Sequence, residues 1–332
     1  MASEHAEAAP AIVTGATRTP TTRPHPGRVS VIIPTYNCAR YIDDALQSVA
    51  IQSYDDWEIV VIDDGSTDET LAVVARSGVP CTYVMNERHK GPAGARNHGV
   101  GLSSGQYIAF LDADDAWLPN KLALQVAALQ ADPKLLALGS IMIPWDSTPP
   151  QIDKTTTVRR YSFSEMVVRN RLGTPTVVCR RDALSKVGLF DESMNIAEDY
   201  ELWLRLSRIG AVGRLEMPLA RFRQRPDGAS AGNRDRTFDL DMRFARSLAN
   251  RYPDVPGIRR LVQQGLSARE FERAIELCDV EKRYWQALRA TANSIRNWPW
   301  TNPLGLGRPL TRLRRVRRIV LDALHAQCGA GV

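Results

Sequence analysis

Short β-branched apolar runs alternate with stretches whose apolar positions recur every three or four residues, the signature of strands alternating with helices. Residues 29–33, Val-Ser-Val-Ile-Ile, form the first run, and Pro34 ends it because a proline cannot donate to a ladder. Residues 39–52 then place Tyr41, Ile42, Ala45, Leu46, Val49 and Ala50 at helical spacing. The unit repeats. Residues 59–62 predict a buried strand with a polar exit at Asp63-Asp64-Gly65-Ser66, and Ser66 with Glu69 suggests a capping box for a helix over 67–76. Residues 82–85 predict a third strand. A glycine-rich connection over 91–97 leads into a small-residue helix ending near Leu102, and residues 107–111, Tyr-Ile-Ala-Phe-Leu, predict a strand running into Asp112, Asp114 and Asp115. A helix over 120–130 and a strand over 136–143 follow.

Helices of this length between strands are crossover connections, so the expected fold is α/β: a mostly parallel, Rossmann-like sheet with helices on both faces. In such a sheet the carboxyl ends of the strands face the ligand crevice. Two acidic exits, Asp63-Asp64 and Asp112-Asp114, therefore converge on one rim. Like charges this close call for a cation, and hard ions such as Mg2+ or Mn2+ are held by one or two carboxylates with phosphate oxygens completing the shell. A nucleotide diphosphate suits this rim: one carboxylate pair accepts from base or ribose donors, the other holds the metal. A solvated acidic turn before the helix at Asn120 is the competing reading of Asp112, Asp114 and Asp115.

After Pro144 the pattern loosens. Residues 145–160 suggest an exposed loop, 176–179 a resumed strand, and 181–187 a short helix stopped by Gly188. Glu198-Asp199 opens a further helix through Leu206, closed by Gly210. Either carboxylate has a plain alternative role as a helix cap. Beyond Phe238 the periodicity predicts helices over 238–252, 255–264 and 268–290, with a break at Trp298-Pro299-Trp300.

Composition narrows this little. At 332 residues, 44% hydrophobic and 24% charged, the chain has room for one large or two modest globular domains. No apolar run approaches the ~18 residues of a membrane span. The first residues lack the apolar region of a secretory signal, which points to a cytoplasmic location. Residues 1–28, rich in Ala, Thr and Pro, are expected to be a disordered leader. Five scattered cysteines form no metal or disulfide pattern. The net charge of +6 gathers toward the end, where Arg308, Arg312, Arg314, Arg315, Arg317 and Arg318 accompany Leu310, Leu313, Val316, Val320 and Leu324. That spacing describes a basic amphipathic helix over 308–324, suited to peripheral contact with an anionic membrane face, a solvated face or a dimer contact. It lacks the aromatic interleaving of a nucleic-acid platform, so no nucleic-acid partner is expected.

Five motifs in order, Val29-Ser30-Val31-Ile32-Ile33-Pro34-Thr35-Tyr36-Asn37, Val61-Ile62-Asp63-Asp64-Gly65-Ser66-Thr67-Asp68, Ala95-Arg96-Asn97, Asp112-Ala113-Asp114-Asp115 and Glu198-Asp199, resemble family 2 inverting glycosyltransferases of the GT-A fold. The resemblance covers residues 29–229. It implies that Pro34, Thr35, Tyr36 and Asp64 bracket the nucleotide base, with Asp63 beside them on the nucleotide side. It implies that the DXD element Asp112-Ala113-Asp114 binds ribose and a divalent metal, with Asp114 the more direct ligand, and that Asp199 is the general base. Arg96, near a helix start, is placed to steady the diphosphate, a surface ion pair being the competing reading. Relatives of this kind carry a Tyr-Arg-x-His-like element where this chain has Phe222-Arg223-Gln224-Arg225-Pro226. Arg225 cannot ligate a metal but can clamp phosphate, so diphosphate contact is expected there.

The expected organisation is a leader over 1–28, a catalytic domain over 29–230 with a nucleotide-sugar half (29–143) and an acceptor half (144–230), and a helical extension over 231–332. The expected activity is metal-dependent, inverting transfer from a nucleotide-diphosphate sugar to a saccharide or lipid-linked acceptor in cell-surface polysaccharide or glycolipid assembly. Asp64 is compatible with uracil, with guanine and thymine left open. A sugar-1-phosphate nucleotidylyltransferase would need a glycine-rich loop with Arg after the first strand, where Pro34-Thr35-Tyr36-Asn37 stands. A basic membrane or nucleic-acid adaptor would leave the acidic rim unexplained.

Overall fold

The computed structural model describes residues 24–86, 91–149, 157–194, 196–225, 234–299 and 311–328. Two compact units arise: Met1–Ser162 with Arg171–Ala231, and Phe163–Asn170 with Gly232–Val332. The segment 163–170, inside the expected acceptor half, thus belongs with the C-terminal helices.

In the first unit the strands are β1 (His25–Thr35), β2 (Trp57–Asp63), β3 (Thr82–Met85), β4 (Gly105–Phe110), β5 (Ala116–Trp117), β6 (Leu135–Pro144), β7 (Val158–Tyr161), β8 (Val178–Arg180) and β9 (Ala211–Phe222). Among the described residues they form one nine-stranded sheet in the order β3-β2-β1-β4-β8-β6-β9-β5, with β7 on β9. The block β3-β2-β1-β4 is entirely parallel. Beyond it, β8 lies antiparallel between β4 and β6, while β6 and β9 run parallel. The α/β expectation holds.

Register matters for the site. Thr35 stands opposite Asp63, which stands opposite Met85, and the Leu111 amide donates to the Ile32 carbonyl at 3.1 Å. The ends of β1, β2 and β4 therefore open side by side on one rim. The helices α1 (Ile42–Ala50), α2 (Thr70–Arg76), α3 (Pro92–Leu102), α4 (Lys121–Ala131), α6 (Arg181–Val187) and α7 (Glu198–Ile209), with a 3-10 turn at Thr174–Thr176, complete this unit; the intervening helix α5 (Phe163–Val168) belongs to the second. Helix α1 turns Ile42, Ala45, Leu46 and Val49 into the core, as its period predicts.

Helix α3 lies unusually close to the sheet. A Cβ on Gly99 would stand 2.5 Å from Ile32 Cγ2 and 3.2 Å from Ile62 Cγ1, so only glycine allows the helix to rest on β1 and β2 at this depth. Ala93, Gly94 and Ala95 continue the small buried face.

Several boundaries differ from the sequence expectation. Strand β1 begins at His25, inside the expected leader, because the His25 amide donates to the Ser104 carbonyl at 2.8 Å; residues 1–23 lie outside the described residues. The capping box does not form: Ser66 is drawn to Asp63 and Asn37, and Asp68 Oδ1 instead accepts from the Thr70 amide at 3.0 Å. Strand β7 occupies part of the expected loop over 145–160, paired antiparallel with β9; residues 150–156 lie outside the described residues.

The second unit contains α5, α8 (Arg234–Arg251), α9 (Ile258–Asp279), α10 (Tyr284–Asn297) and α11 (Thr311–Cys328). The expected helices over 255–264 and 268–290 are one helix, α9, and a separate α10. Gly265 is tolerated within α9 because a Cβ there would meet the Val168 carbonyl of α5 at 2.9 Å. Arg273, buried, pairs with Asp235, Glu276 and Glu281. On α11, Ile319 enters a cluster with Ala274, Leu277, Cys278, Ala287 and Ala290, while Val320 and Leu321 are exposed beside exposed Arg317 and Arg318. Among the described side chains of α11 it is therefore Ile319 that is buried, whereas Val320, a member of the expected apolar stripe, is exposed. The tail positions 308–310, and the side chains of Arg312, Leu313, Arg314 and Leu324, lie outside the described residues. No described helix is long and apolar enough to cross a membrane.

The close approach of α3 gives a direct test. Gly99→Ala overpacks the helix against Ile32 and should cost about 1–3 kcal/mol, read as a lower midpoint in thermal unfolding. An unchanged midpoint would contradict the contact.

Candidate active site

Three acidic corners meet on the carboxyl rim of β1, β2 and β4. At the first, Thr35 is buried and its hydroxyl has no hydrogen-bond partner among the described residues, while Tyr36 is 58% exposed. Pro34 is half-buried. Asn37, with φ +48, turns the chain so that its amide donates to Ser66 Oγ at 2.8 Å. The two aspartates after β2 divide their work. Asp63 is 1% exposed; its Oδ1 accepts from the Gly65 amide, the Ser66 amide and the Ser66 hydroxyl at 3.0, 2.8 and 2.8 Å, and its Oδ2 from the Tyr83 hydroxyl. Both carboxylate oxygens of Asp63 are thus engaged in shaping the turn. Asp64, half-buried, accepts from Asn86 Nδ2 at 2.5 Å and from the Gly91 amide at the start of α3.

The second corner is the turn after β4, closed by the Asp115 amide on the Asp112 carbonyl at 3.1 Å. Asp112 and Asp114 remain partly open, with side chains 33% and 26% exposed. Ala113 between them is buried. Burial and the Asp112 charge raise the Asp114 carboxyl above the usual carboxylate range, against the opposing Arg225 guanidinium. Asp115 is pushed up to about 8, by burial first and then by Asp112 and Asp114, and accepts from the Arg223 amide at 3.1 Å. Burial thus disfavours its charged form, and Asp112 and Asp114 are the more open carboxylates of the three.

At the third corner, Glu198 and Asp199 open α7. Its N-cap is Ala197, in the left-handed region (φ 60), with no side-chain cap bond of its own; of the two carboxylates it is Asp199 that takes up a first-turn amide. Asp199 Oδ2 accepts from the Thr174 hydroxyl at 2.7 Å and Oδ1 from the Tyr200 amide at 2.5 Å. Burial, then the Glu198 charge, lift its carboxyl to about 6, while Thr174 and Arg96 oppose the rise. A carboxylate poised there is suited to taking a proton near neutrality.

Arg96 ties the second and third corners together. Its Nη2 donates to Asp112 Oδ1 at 2.9 Å and its Nη1 to Glu198 Oε1 at 3.0 Å. The residue is 5% exposed and its Cζ lies 5.5 Å from the Phe190 ring centroid. With one N–H of each terminal nitrogen bound to a protein carboxylate, Arg96 forms a buried ion-pair bridge, and its Nε is left without a partner among the described residues. Arg225 does reach the rim, with Nη1 3.4 Å from Asp114 Oδ2 and the guanidinium 4.7 Å from the Tyr41 ring. Arg223 flanks the same ring at 5.0 Å and stacks 3.5 Å from Trp145.

Among the described residues no three His, Cys, Asp or Glu side chains close into a metal cage. The donor set nonetheless fits a hard divalent ion: two partly open carboxylates, with the remaining ligands left to a phosphate-bearing substrate. Sequence reasoning missed Thr174, Tyr41 and Asn86. No sequence signal marks the first; the other two lie beside motif residues.

The glycosyl transferase family 2 model matches residues 30–190. The Escherichia coli UDP-Glc:alpha-D-GlcNAc-diphosphoundecaprenol beta-1,3-glucosyltransferase WfgD is 34% identical over 179 residues, which is 54% of this chain and 69% of that protein. The chain spans smaller shares, 30% and 60%, of two matched Rickettsia glycosyltransferases. Among solved structures, S. aureus TarS in complex with UDP-GlcNAc aligns with a TM-score of 0.56 at 24% identity, over 89% of this chain and 88% of that one. The Pyrobaculum calidifontis mannosyltransferase PcManGT, in complex with GDP-Man and Mn2+, aligns at 0.56 and 20% identity, over 94% and 89%. At these identities the two structures speak to the shared GT-A fold alone.

Ionisation of the third corner can be read directly. In a carbon-13 NMR titration, Asp199 should ionise near pH 6, and Thr174→Val, which removes a bond favouring the charged form, should move that midpoint upward. A downward shift would contradict the assignment.

Proposed function

The chain belongs to glycosyltransferase family 2, and we propose that it moves a sugar from a nucleotide-diphosphate donor, a UDP-sugar, to an acceptor hydroxyl with inversion. One observation carries the reading: one buried guanidinium, Arg96, joins Asp112 of the outward carboxylate pair to Glu198, the chain neighbour of Asp199. In this scheme the acceptor hydroxyl attacks the anomeric carbon as its proton passes to Asp199. The new carbon–oxygen bond forms as the bond to the diphosphate breaks, and the departing electron pair leaves on the nucleoside diphosphate. One displacement needs one base and no second nucleophilic carboxylate.

Each corner has a task. Tyr36 offers its exposed ring to the base, the unpartnered Thr35 hydroxyl and Asp64 supply polar contacts, and Asp63 keeps their turn in shape. Asp112 and Asp114 would hold Mg2+ or Mn2+, with the Ala113 backbone between them. A bound divalent ion offsets charge on the departing diphosphate. Arg225, beside Asp114, adds a fixed positive charge to the same region.

The relative named for a diphosphoundecaprenol acceptor supports a lipid-linked or saccharide acceptor and a role in cell-surface polysaccharide or glycolipid assembly. The exposed Arg317, Arg318, Val320 and Leu321 of α11 suit peripheral contact with the cytoplasmic membrane face.

Thermal shift against a panel of nucleotide sugars with Mn2+ should single out a UDP-sugar, and Asp114→Asn should remove the Mn2+-dependent part of the shift. Asp199→Asn should keep donor binding while transfer falls roughly 10²–10⁴-fold. Full-rate transfer by Asp199→Asn, or an Mn2+-dependent shift surviving in Asp114→Asn, would overturn the reading.

A further inference from the structure

Arg96 and Asn97 are neighbours on α3, yet their side chains take hold of two parts of the chain that delivers Asp199. Asn97 Nδ2 donates to the Phe190 carbonyl at 2.9 Å and to Glu192 Oε1 at 2.8 Å, while its Oδ1 accepts from the Phe190 amide at 3.0 Å. That pairing fixes the backbone at Phe190 much as a neighbouring strand would. The Phe190 ring in turn packs against Phe110 of β4 and Trp203 of α7, with centroids 5.1 and 6.2 Å away. Farther along, Arg96 holds Glu198, the residue before Asp199, and with its other nitrogen holds Asp112. A guanidinium has the planar fork to serve two carboxylates at once, whereas an ammonium is a single point of charge.

We propose that Arg96 is a positioning residue for the base: by sharing one buried guanidinium between Asp112 and Glu198 it fixes the Glu198-Asp199 corner and cancels the charge that Glu198 would otherwise impose on Asp199. The inference rests on Asp199 being the base. Four groups face Asp199: Glu198 and the Tyr200 amide from its own helix, Arg96 from α3 and the Thr174 hydroxyl from the 3-10 turn. Glu198 works against its ionisation and Arg96 works for it, so the two act in opposite directions on the same carboxylate.

The test is a charge-balance cycle read from the pH dependence of kcat at saturating donor. Transfer should rise with pH as Asp199 loses its proton. Removing the cation in Arg96→Met should move that rise to higher pH by about one unit, the low end of what a nearby charge does. Glu198→Gln should move it to lower pH, and the double variant should return it close to the wild-type position. Arg96→Lys, which keeps the charge but not the fork, should fall between wild type and Arg96→Met. A purely structural brace would lower rates without moving the limb, and Glu198→Gln would not compensate. Should Arg96→Met fail to fold, Glu198→Gln alone decides: a limb left in place or moved to higher pH overturns the proposal. If Asp199→Asn transfers at full rate, the base assignment itself has failed. If Asp199→Asn is inactive while Glu198→Gln leaves the limb fixed, only the present inference has failed.

Discussion

Crowded negative charge is the constraint around which the catalytic unit is arranged. Asp112, Asp114, Asp115, Glu198 and Asp199 come from two distant stretches, and unrelieved repulsion would drive them apart. Three devices relieve it. Burial of Asp115 disfavours its charged form. Arg225 stands over Asp114 at the open edge. Arg96 sits beneath, bound to one carboxylate from each stretch. Burial ordinarily disfavours a cation, but the charges of Asp112 and Glu198 outweigh it and hold Arg96 firmly ionised.

Helix α3 is where fold and chemistry meet. Its glycine and alanine face lets it settle deep on β1 and β2, and from that depth its first turns reach all three corners. The Gly91 amide meets Asp64, Arg96 meets Asp112 and Glu198, and Asn97 meets the loop at Phe190. A small-residue helix, poor in apolar surface, thus serves less as core than as a bracket. Its stability comes from the sheet beneath it, so packing at Ile32 and Ile62 sets where the guanidinium stands.

Much of this was legible in the chain. The strand and helix periods from Val29 to Ile143 were clear because each element buries one face, and the carboxylates at the ends of β2 and β4 fell on one rim because parallel strands leave no other choice. What escaped depended on partners far along the sequence. Asp63 and Asp64 look equivalent until Gly65, Ser66 and Tyr83 are seen to bind both carboxylate oxygens of the first. Local sequence left Arg96 open between a diphosphate contact and an ion pair because one of its partners, Glu198, lies 102 positions away. Strand β8 overlaps the strand expected over 176–179, but three residues carry nothing to announce that it runs antiparallel in a sheet whose first half is parallel. Helix α11 turns Ile319 inward because α9 and α10 offer an apolar cluster there, information its own spacing does not hold.

The central claim is that residues from the first, second and third corners enclose one donor site. An anomalous-scattering map of crystals grown with Mn2+ and UDP tests it most directly. The account predicts a manganese peak against the Asp112 and Asp114 carboxylates, with uracil beside Tyr36 and Asp64 and Asp199 opening onto the same cleft. Manganese bound away from Asp112 and Asp114, or a nucleotide seated on another face of the sheet, would contradict it.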